Sequence, residues 1–323
     1  MNSLDFSDLI DMDDDLANTI VTRADASAGC EQPATRAAGA SAPALLARAP
    51  FPDISPALPA FGPSFEVGGA LPDIQFVTVD NGRFYAHRGL LRYVSSDAFG
   101  GLLAGRDESI HVPEASAIFA IALHVAYGLS CAHLTNITLE TIESAVNVLS
   151  KYGIPPQSFA APNMPLFQLI LSQASYYPID AYALAAHYGF QDLAVAVSSH
   201  LLAYDLSGLT DELCVKMGAV HIKLLFDLHQ TRRNALKNIV MNPPKMHQPH
   251  LACGTREQQD LTLAWAFAAA EMAWNAPSST STYMMQSTFE RAATDISCGE
   301  CRTMLKTRIQ EAMEEWSAVP RTI

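Results

Sequence analysis

Strand-forming sequence in this chain is confined to one stretch between Asp73 and Pro113, and everything that follows reads as helix. Asp73-Ile74-Gln75-Phe76-Val77-Thr78-Val79 is rich in β-branched and aromatic residues. Asp80-Asn81-Gly82 is a turn signal, and Arg83-Phe84-Tyr85-Ala86-His87 reads as the returning strand of a hairpin. Ser109-Ile110-His111-Val112 is a further short strand, stopped by Pro113. So little strand among so much helix restricts the first folded unit to an α+β architecture and the rest to an all-α one.

The helical stretches show themselves by spacing. Arg88 to Leu103 reads as one or two short helices. Ile118, Ile121, Ala122, Val125 and Leu129 form one apolar stripe; Ile142, Val146 and Leu149 form the next, in a helix opened by Thr138 and ended by Gly153 and Pro155-Pro156. Pro178 suits a first helical turn. Leu213, Met217, Val220 and Leu224 begin a long helix that stops at Asn242-Pro243-Pro244. Thr255-Arg256-Glu257-Gln258 and Ser297-Cys298-Gly299-Glu300 read as capping boxes opening two more helices. Their stripes are Leu261, Trp265, Ala268 and Met272, and Cys301, Leu305, Ile309, Met313 and Trp316. All three tryptophans, Trp265, Trp274 and Trp316, are expected in the core of this helical half.

Residues 1–70 differ in kind. Seven prolines lie between Pro33 and Pro63 amid Ala, Ser and Gly, and the segment holds ten acids against three bases. Such a composition buries too little apolar surface to offset its ordering entropy, so a disordered acidic tail is expected. Leu4, Phe6, Leu9, Ile10, Met12 and Leu16 sit there among six aspartates, either as solvated tail or as a helix formed on a partner. The organisation expected is a tail over 1–70, an α+β domain over 71–165 and a helical domain over 166–323.

Across 323 residues there are 20 Lys and Arg against 33 Asp and Glu, a net charge of −13. Phosphate binding needs clustered base, so a nucleic-acid module is excluded. The acidic N-terminus is unlike a secretory or mitochondrial leader. The uncharged run Ala117–Leu134 carries His124, Gly128, Ser130 and His133, and reads as a buried helix with its exit loop rather than a membrane span. Six cysteines are too few for a disulfide scaffold, which points to a reducing compartment, cytosol or nucleus.

The string Asp73-Ile74, then Phe84-Tyr85-Ala86-His87-Arg88, Leu90-Leu91, Ser95-Ser96 and Phe99 resembles the opening of a BTB/POZ domain. Ile110-His111-Val112-Pro113 followed by Phe119, Leu123 and Tyr127 is similar to the next strand and helix of that family. The helix from Thr138, ending in Lys151-Tyr152-Gly153, is similar to one that closes on a Lys-Tyr pair. The match covers roughly residues 71–160. Farther on, Trp265, Ala273-Trp274, Ser297-Cys298-x-x-Cys301 and Trp316-Ser317 resemble fungal BTB proteins. The resemblance implies a protein-interaction module: a scaffold or adaptor, self-associating or joined to a ubiquitin-ligase or transcriptional complex, without enzymatic activity. The tail before Asp73 departs from the regular first strand that BTB partners exchange. Asp73 and His87, readable as an acid–base pair, are on this resemblance a structural tie between hairpin and first helix.

One cluster carries chemistry of its own. His250-x-x-Cys253 and Cys298-x-x-Cys301 are two chelating pairs, together a Cys₃His set for tetrahedral zinc, with His247 as the alternative to His250. Both pairs sit where helices should begin, and the helix dipole there favours thiolate. Four protein ligands make a structural zinc site. Three ligands with a nearby base such as Glu300 would make a zinc-dependent hydrolytic enzyme. Ordinary buried thiols or a redox pair are the other readings. Neither a Gly-x-Gly-x-x-Gly nor a Gly-Lys-Ser/Thr nor a His-Glu-x-x-His motif occurs. His221 and His229 are expected to be packing or surface residues, Cys131 and Cys214 have no partner spacing and enter no site, and Glu311, Glu314 and Glu315 are expected on a solvated helix face.

Overall fold

The computed structural model describes residues 61–134 and 137–323. The expectations for residues 1–60, including the disordered tail, the apolar segment Leu4–Leu16 and Cys30, lie outside them. The hairpin forms as the residue types dictate: β1 (Ile74–Val77) pairs antiparallel with β2 (Arg83–Ala86), Ile74 opposite Ala86 and Val77 opposite Arg83. β3 (Ser109–His111) runs parallel to β1 on its other side, giving the order β2-β1-β3. The turn closes on a backbone bond from Thr78 N–H to Gly82 C=O at 3.0 Å. Gly82 is required there by close approach, since a Cβ would sit 2.7 Å from that of Ser116. Asp80 accepts hydrogen bonds from the Ser116 hydroxyl, the Thr78 hydroxyl and the Ser116 amide, which holds its carboxyl well below the usual range. The turn thus fastens the sheet to the first turn of α2.

α1 (Arg88–Val94) is followed by turns rather than a second helix. Ala98, Phe99, Gly100 and Gly101 all adopt positive φ, which no right-handed helix accommodates. The strain at Phe99 is offset by packing: its ring stacks on Tyr152 at 4.3 Å and meets Phe76 and Phe119. α2 (Ser116–Tyr127) and α3 (Leu139–Lys151) form an antiparallel pair over the sheet. α2 is buried along most of its length, and Thr138 caps α3 by accepting from the Thr141 amide at 3.2 Å. Among the described residues no helix is long and apolar enough to cross a membrane.

Order starts earlier than the expected Leu71. Phe61 and Phe65 are fully buried, their rings against Tyr127, His124 and His87. The boundary expected after residue 165 is displaced as well. α4 (Pro165–Ala174), α5 (Pro178–His187) and α6 (Gln191–Ser198) extend the same core that contains the sheet. That core ends at Leu225, inside α7 (Asp211–Val240). A second core begins at Leu236 on the same helix and takes in α8 (Thr255–Asn275), α9 (Thr282–Ala292) and α10 (Gly299–Ala318). A helix continuous across two cores leaves no break in periodicity to mark the division. Gly218 does interrupt α7, with φ 74°, but on the first-core side.

The second core is threaded by buried arginines. Arg232 donates to the carbonyls of Ser278, Val319 and Pro320 while lying 4.1 Å over the Trp316 ring. Arg308 donates to Ile239 and Asn242 carbonyls and to Glu315 and Glu311, which lie on the exposed helix face expected of them and pair with it there. Trp265 and Trp316 are buried as expected, each indole N–H donating to a carbonyl at 2.8 Å. Trp274 is not: it is 91% exposed.

Candidate metal centre

The loop after α7 runs through Pro243, Pro244 and Pro249 and folds back onto the starts of α8 and α10. Near its end His250 and Cys253 exchange backbone hydrogen bonds at 3.0 and 2.9 Å. This small bridge turns Cys253 inward, fully buried, and leaves the His250 ring 40% exposed. Cys298 and Cys301, one helical turn apart, point the same way from the first turn of α10.

The result is a convergence of four donor atoms, from His247, Cys253, Cys298 and Cys301, all within 4.8 Å of one another. His247 Nε2 is 3.2 Å from Cys301 Sγ and 3.5 Å from Cys298 Sγ; Cys253 and Cys301 sulfurs are 3.6 Å apart. A tetrahedral zinc with its usual bond lengths would separate sulfurs by about 3.8 Å, and nitrogen from sulfur by about 3.6 Å. These three of the six edges lie within about 0.4 Å of that tetrahedron, the others are within 4.8 Å, and the sulfurs are far from the roughly 2 Å of a disulfide. The residues present therefore fit a bound metal ion. Three of the four expected ligands are brought together. The expected His250 is displaced by its alternative, His247, with the His250 Nε2 standing 3.9 Å from Cys298 Sγ at the margin.

His247 is held by its other face. Nδ1 lies 2.8 Å from the Gln248 carbonyl, an atom that can only accept, so Nδ1 carries the proton and Nε2 presents its lone pair to the sulfurs. Glu300 Oε2 lies 3.2 Å from the same Nδ1. Gln258, buried on α8, donates to the His247 carbonyl at 3.0 Å. These contacts explain why the two capping boxes form differently from expectation. α8 is capped at Gly254, whose amide donates to Glu257 at 2.8 Å, which frees Gln258 to turn inward. α10 starts at Cys298 without a side-chain cap, because Glu300 is engaged by the histidine.

The thiols are unequal. Backbone N–H groups of Cys301 and Glu300 at the start of α10 lower the Cys298 pKa to about 6, so it is a thiolate at neutral pH. Burial pushes Cys301 up to about 12 and raises Cys253. Hydrogen bonding to the Gln248 carbonyl raises His247. A metal ion held there would supply the positive charge needed for all three sulfurs to ionise together.

A groove of about 340 Å³ opens beside Cys298, lined by Glu257, Asp260, Leu263, Phe267 and Asp295 among others. The remaining candidates are structural in contact. The Asp73 carboxylate accepts from the Arg88 amide at 2.7 Å. His87 meets the Tyr127 hydroxyl at 3.1 Å through Nδ1 and the Ala70 carbonyl at 3.0 Å through Nε2. Each therefore ties hairpin to helix through its own partners. Lys151 and Tyr152 both bind the buried Glu114, at 2.6 and 2.5 Å. His229 bonds the Leu201 carbonyl, and burial lifts the Cys131 thiol to about 12. No protein-family model matches the chain, and a comparison with curated proteins finds no match.

Proposed function

We propose that the chain is a non-enzymatic protein-interaction scaffold of the BTB/POZ kind, whose C-terminal half is locked by a structural zinc ion on His247, Cys253, Cys298 and Cys301. The observation that carries the zinc reading is the agreement of the inter-donor distances with tetrahedral edges. Four protein donors fill a tetrahedral ion and leave no position for substrate. Glu300, the base a hydrolase would need, faces the far nitrogen of a ligand instead. The ion would join the proline-rich loop to the starts of α8 and α10. A reducing compartment, cytosol or nucleus, suits three ligating thiols.

The scaffold reading draws support from where the BTB-like residues fall. Asp73, His87, Ser95, Phe99, Tyr127 and Tyr152 share one network around a three-stranded sheet and a helical pair. Partners are then proteins, a second copy included, and not nucleic acid.

A hydrolytic zinc enzyme is the second reading, favoured by the groove beside Cys298. Elemental analysis of purified, reduced protein separates the readings. The structural reading expects about one zinc per chain, lost in Cys298→Ser/Cys301→Ser together with the fold of the second core. Zinc lost with that core intact would favour an open, exchangeable site. Absence of metal would overturn both.

A further inference from the structure

α8 is apolar on two opposite sides. Leu261, Trp265, Ala268, Ala269 and Met272 face the second core. At 100° per residue, Leu263, Ala266, Phe267, Ala270 and Trp274 form a second stripe on the opposite side. Phe267 is 67% exposed and Trp274 91%, and among the described residues nothing covers them. The first turns of α8 are polar, but from Leu263 to Trp274 the outer stripe is continuous, unlike the scattered apolar residues of an ordinary surface.

We propose that this outer face of α8 is the seam of a homodimer in which two copies of the helix pack antiparallel. The stripe is complementary to itself. With the two-fold axis crossing between positions 268 and 269, Phe267 of each copy lies over Ala270 of the other, and Leu263 beside Trp274. Large residues then meet small ones, and Ala266 and Ala270 let the helix axes approach to about 8 Å. Asp260 and Asp295 border the Leu263–Phe267 end of the stripe, and towards its other end the flanking charge is compensated. Glu271, which flanks the stripe, is already paired with Arg291 of α9 at 3.1 Å. The area suffices: covered Phe and Trp rings bury about 150–250 Å² each, so the four rings supply roughly 600 Å² or more. Leu263, Ala266 and Ala270 of both copies bring this towards the roughly 1,000 Å² that a specific interface requires. This seam lies in the C-terminal half, away from the BTB-like helices through which the family resemblance would place self-association, and it does not depend on the metal reading.

The test is the solution mass of the full-length chain by light scattering, with zinc content and far-UV circular dichroism measured on the same samples. The wild type is expected at twice the chain mass of 34.9 kDa. Phe267→Glu and Trp274→Glu are expected at one chain mass with unchanged dichroism, while Tyr93→Glu, an exposed change on the BTB-like half, stays dimeric. Should Phe267→Glu disturb the dichroism, Ala270→Glu carries the test. A wild type at one chain mass overturns the proposal, including the case where Trp274 is shielded from quencher by the chain's own N-terminal segment. So does a dimer that survives both α8 changes, or one that Tyr93→Glu abolishes.

Discussion

The two cores are built on opposite principles. The first is closed by rings: Phe61, Phe65, Phe76, Phe84, Phe99, Phe119, Tyr127 and Tyr152 contact one another across sheet and helices. Most of its buried polar groups are hydrogen-bonded within it, as with Glu114 and His87, while His221 Nε2 is buried without a partner. The second core has fewer large apolar residues and is fastened by polar crosslinks instead. Two buried arginines gather backbone carbonyls from three segments, and one cluster of sulfur and nitrogen donors ties a loop to two helices. Apolar area dominates in the first, with the Asp80 and Glu114 contacts added to it. The second depends on a small number of directional contacts, so it should fail in discrete steps.

Metal removal should separate the cores most widely. Chelation, or Cys301→Ser, is expected to strip amide-exchange protection from Leu236–Trp316 while Phe76–Leu225 remains protected. Loss of protection in both would show that the cores are not independent. Next comes Phe119→Ala, expected to cost about 3–5 kcal/mol in urea unfolding of the first core, with zinc stoichiometry unchanged. Arg232→Ala is the counterpart on the other side. It leaves the carbonyls of Ser278, Val319 and Pro320 without their donor, and a loss of about 3 kcal/mol confined to the second core is expected. An effect near zero would mean that water replaces the guanidinium there.

The smallest effect concerns pH. Burial lowers the His124 pKa from 6.5 to about 4, against a raising contribution from the Ala120 carbonyl. The neutral ring is favoured in the folded chain, so the unfolded chain takes up the proton first as pH falls. Stability is full above pH 6.5 and declines between 6.5 and 4, by about 2 kcal/mol on going from pH 7.5 to 5. His124→Gln should remove that increment from the pH profile of the first core and leave the second core's profile unchanged. A profile identical to wild type would assign the dependence to other groups.

Local features were readable in the sequence because short-range chemistry sets them. The hairpin follows from Asp80-Asn81-Gly82, the α3 cap from Thr138, Cys298 and Cys301 from their two-residue gap, and Cys253 from its pairing with a histidine that is not itself a donor. The choice of His247 over His250 was not readable, because it depends on which way a proline-rich loop turns. One signal pointed to it: Gln258 lies on the buried side of α8, where a polar group requires a partner. Phe61 and Phe65 were hidden by their Gly and Pro neighbours, although two aromatics four apart are themselves unlike tail sequence. Trp274 was assigned to the core on residue type, and only the direction it faces on α8 contradicts that. The division between cores was invisible because α7 passes through it with its periodicity intact.

That shared helix has a consequence for synthesis on the ribosome. The fully buried residues of the first core have all emerged once Leu225 is out, with only Ile323 still to pack against it, so that core can begin to close while the chain is still growing. The far end of α7 must then wait, its apolar side bare, until about eighty further residues bring Cys298 and Cys301 to meet His247 and Cys253. A nascent chain paused in that interval would present one finished half and one sticky shaft, which is a natural point for a chaperone to hold it.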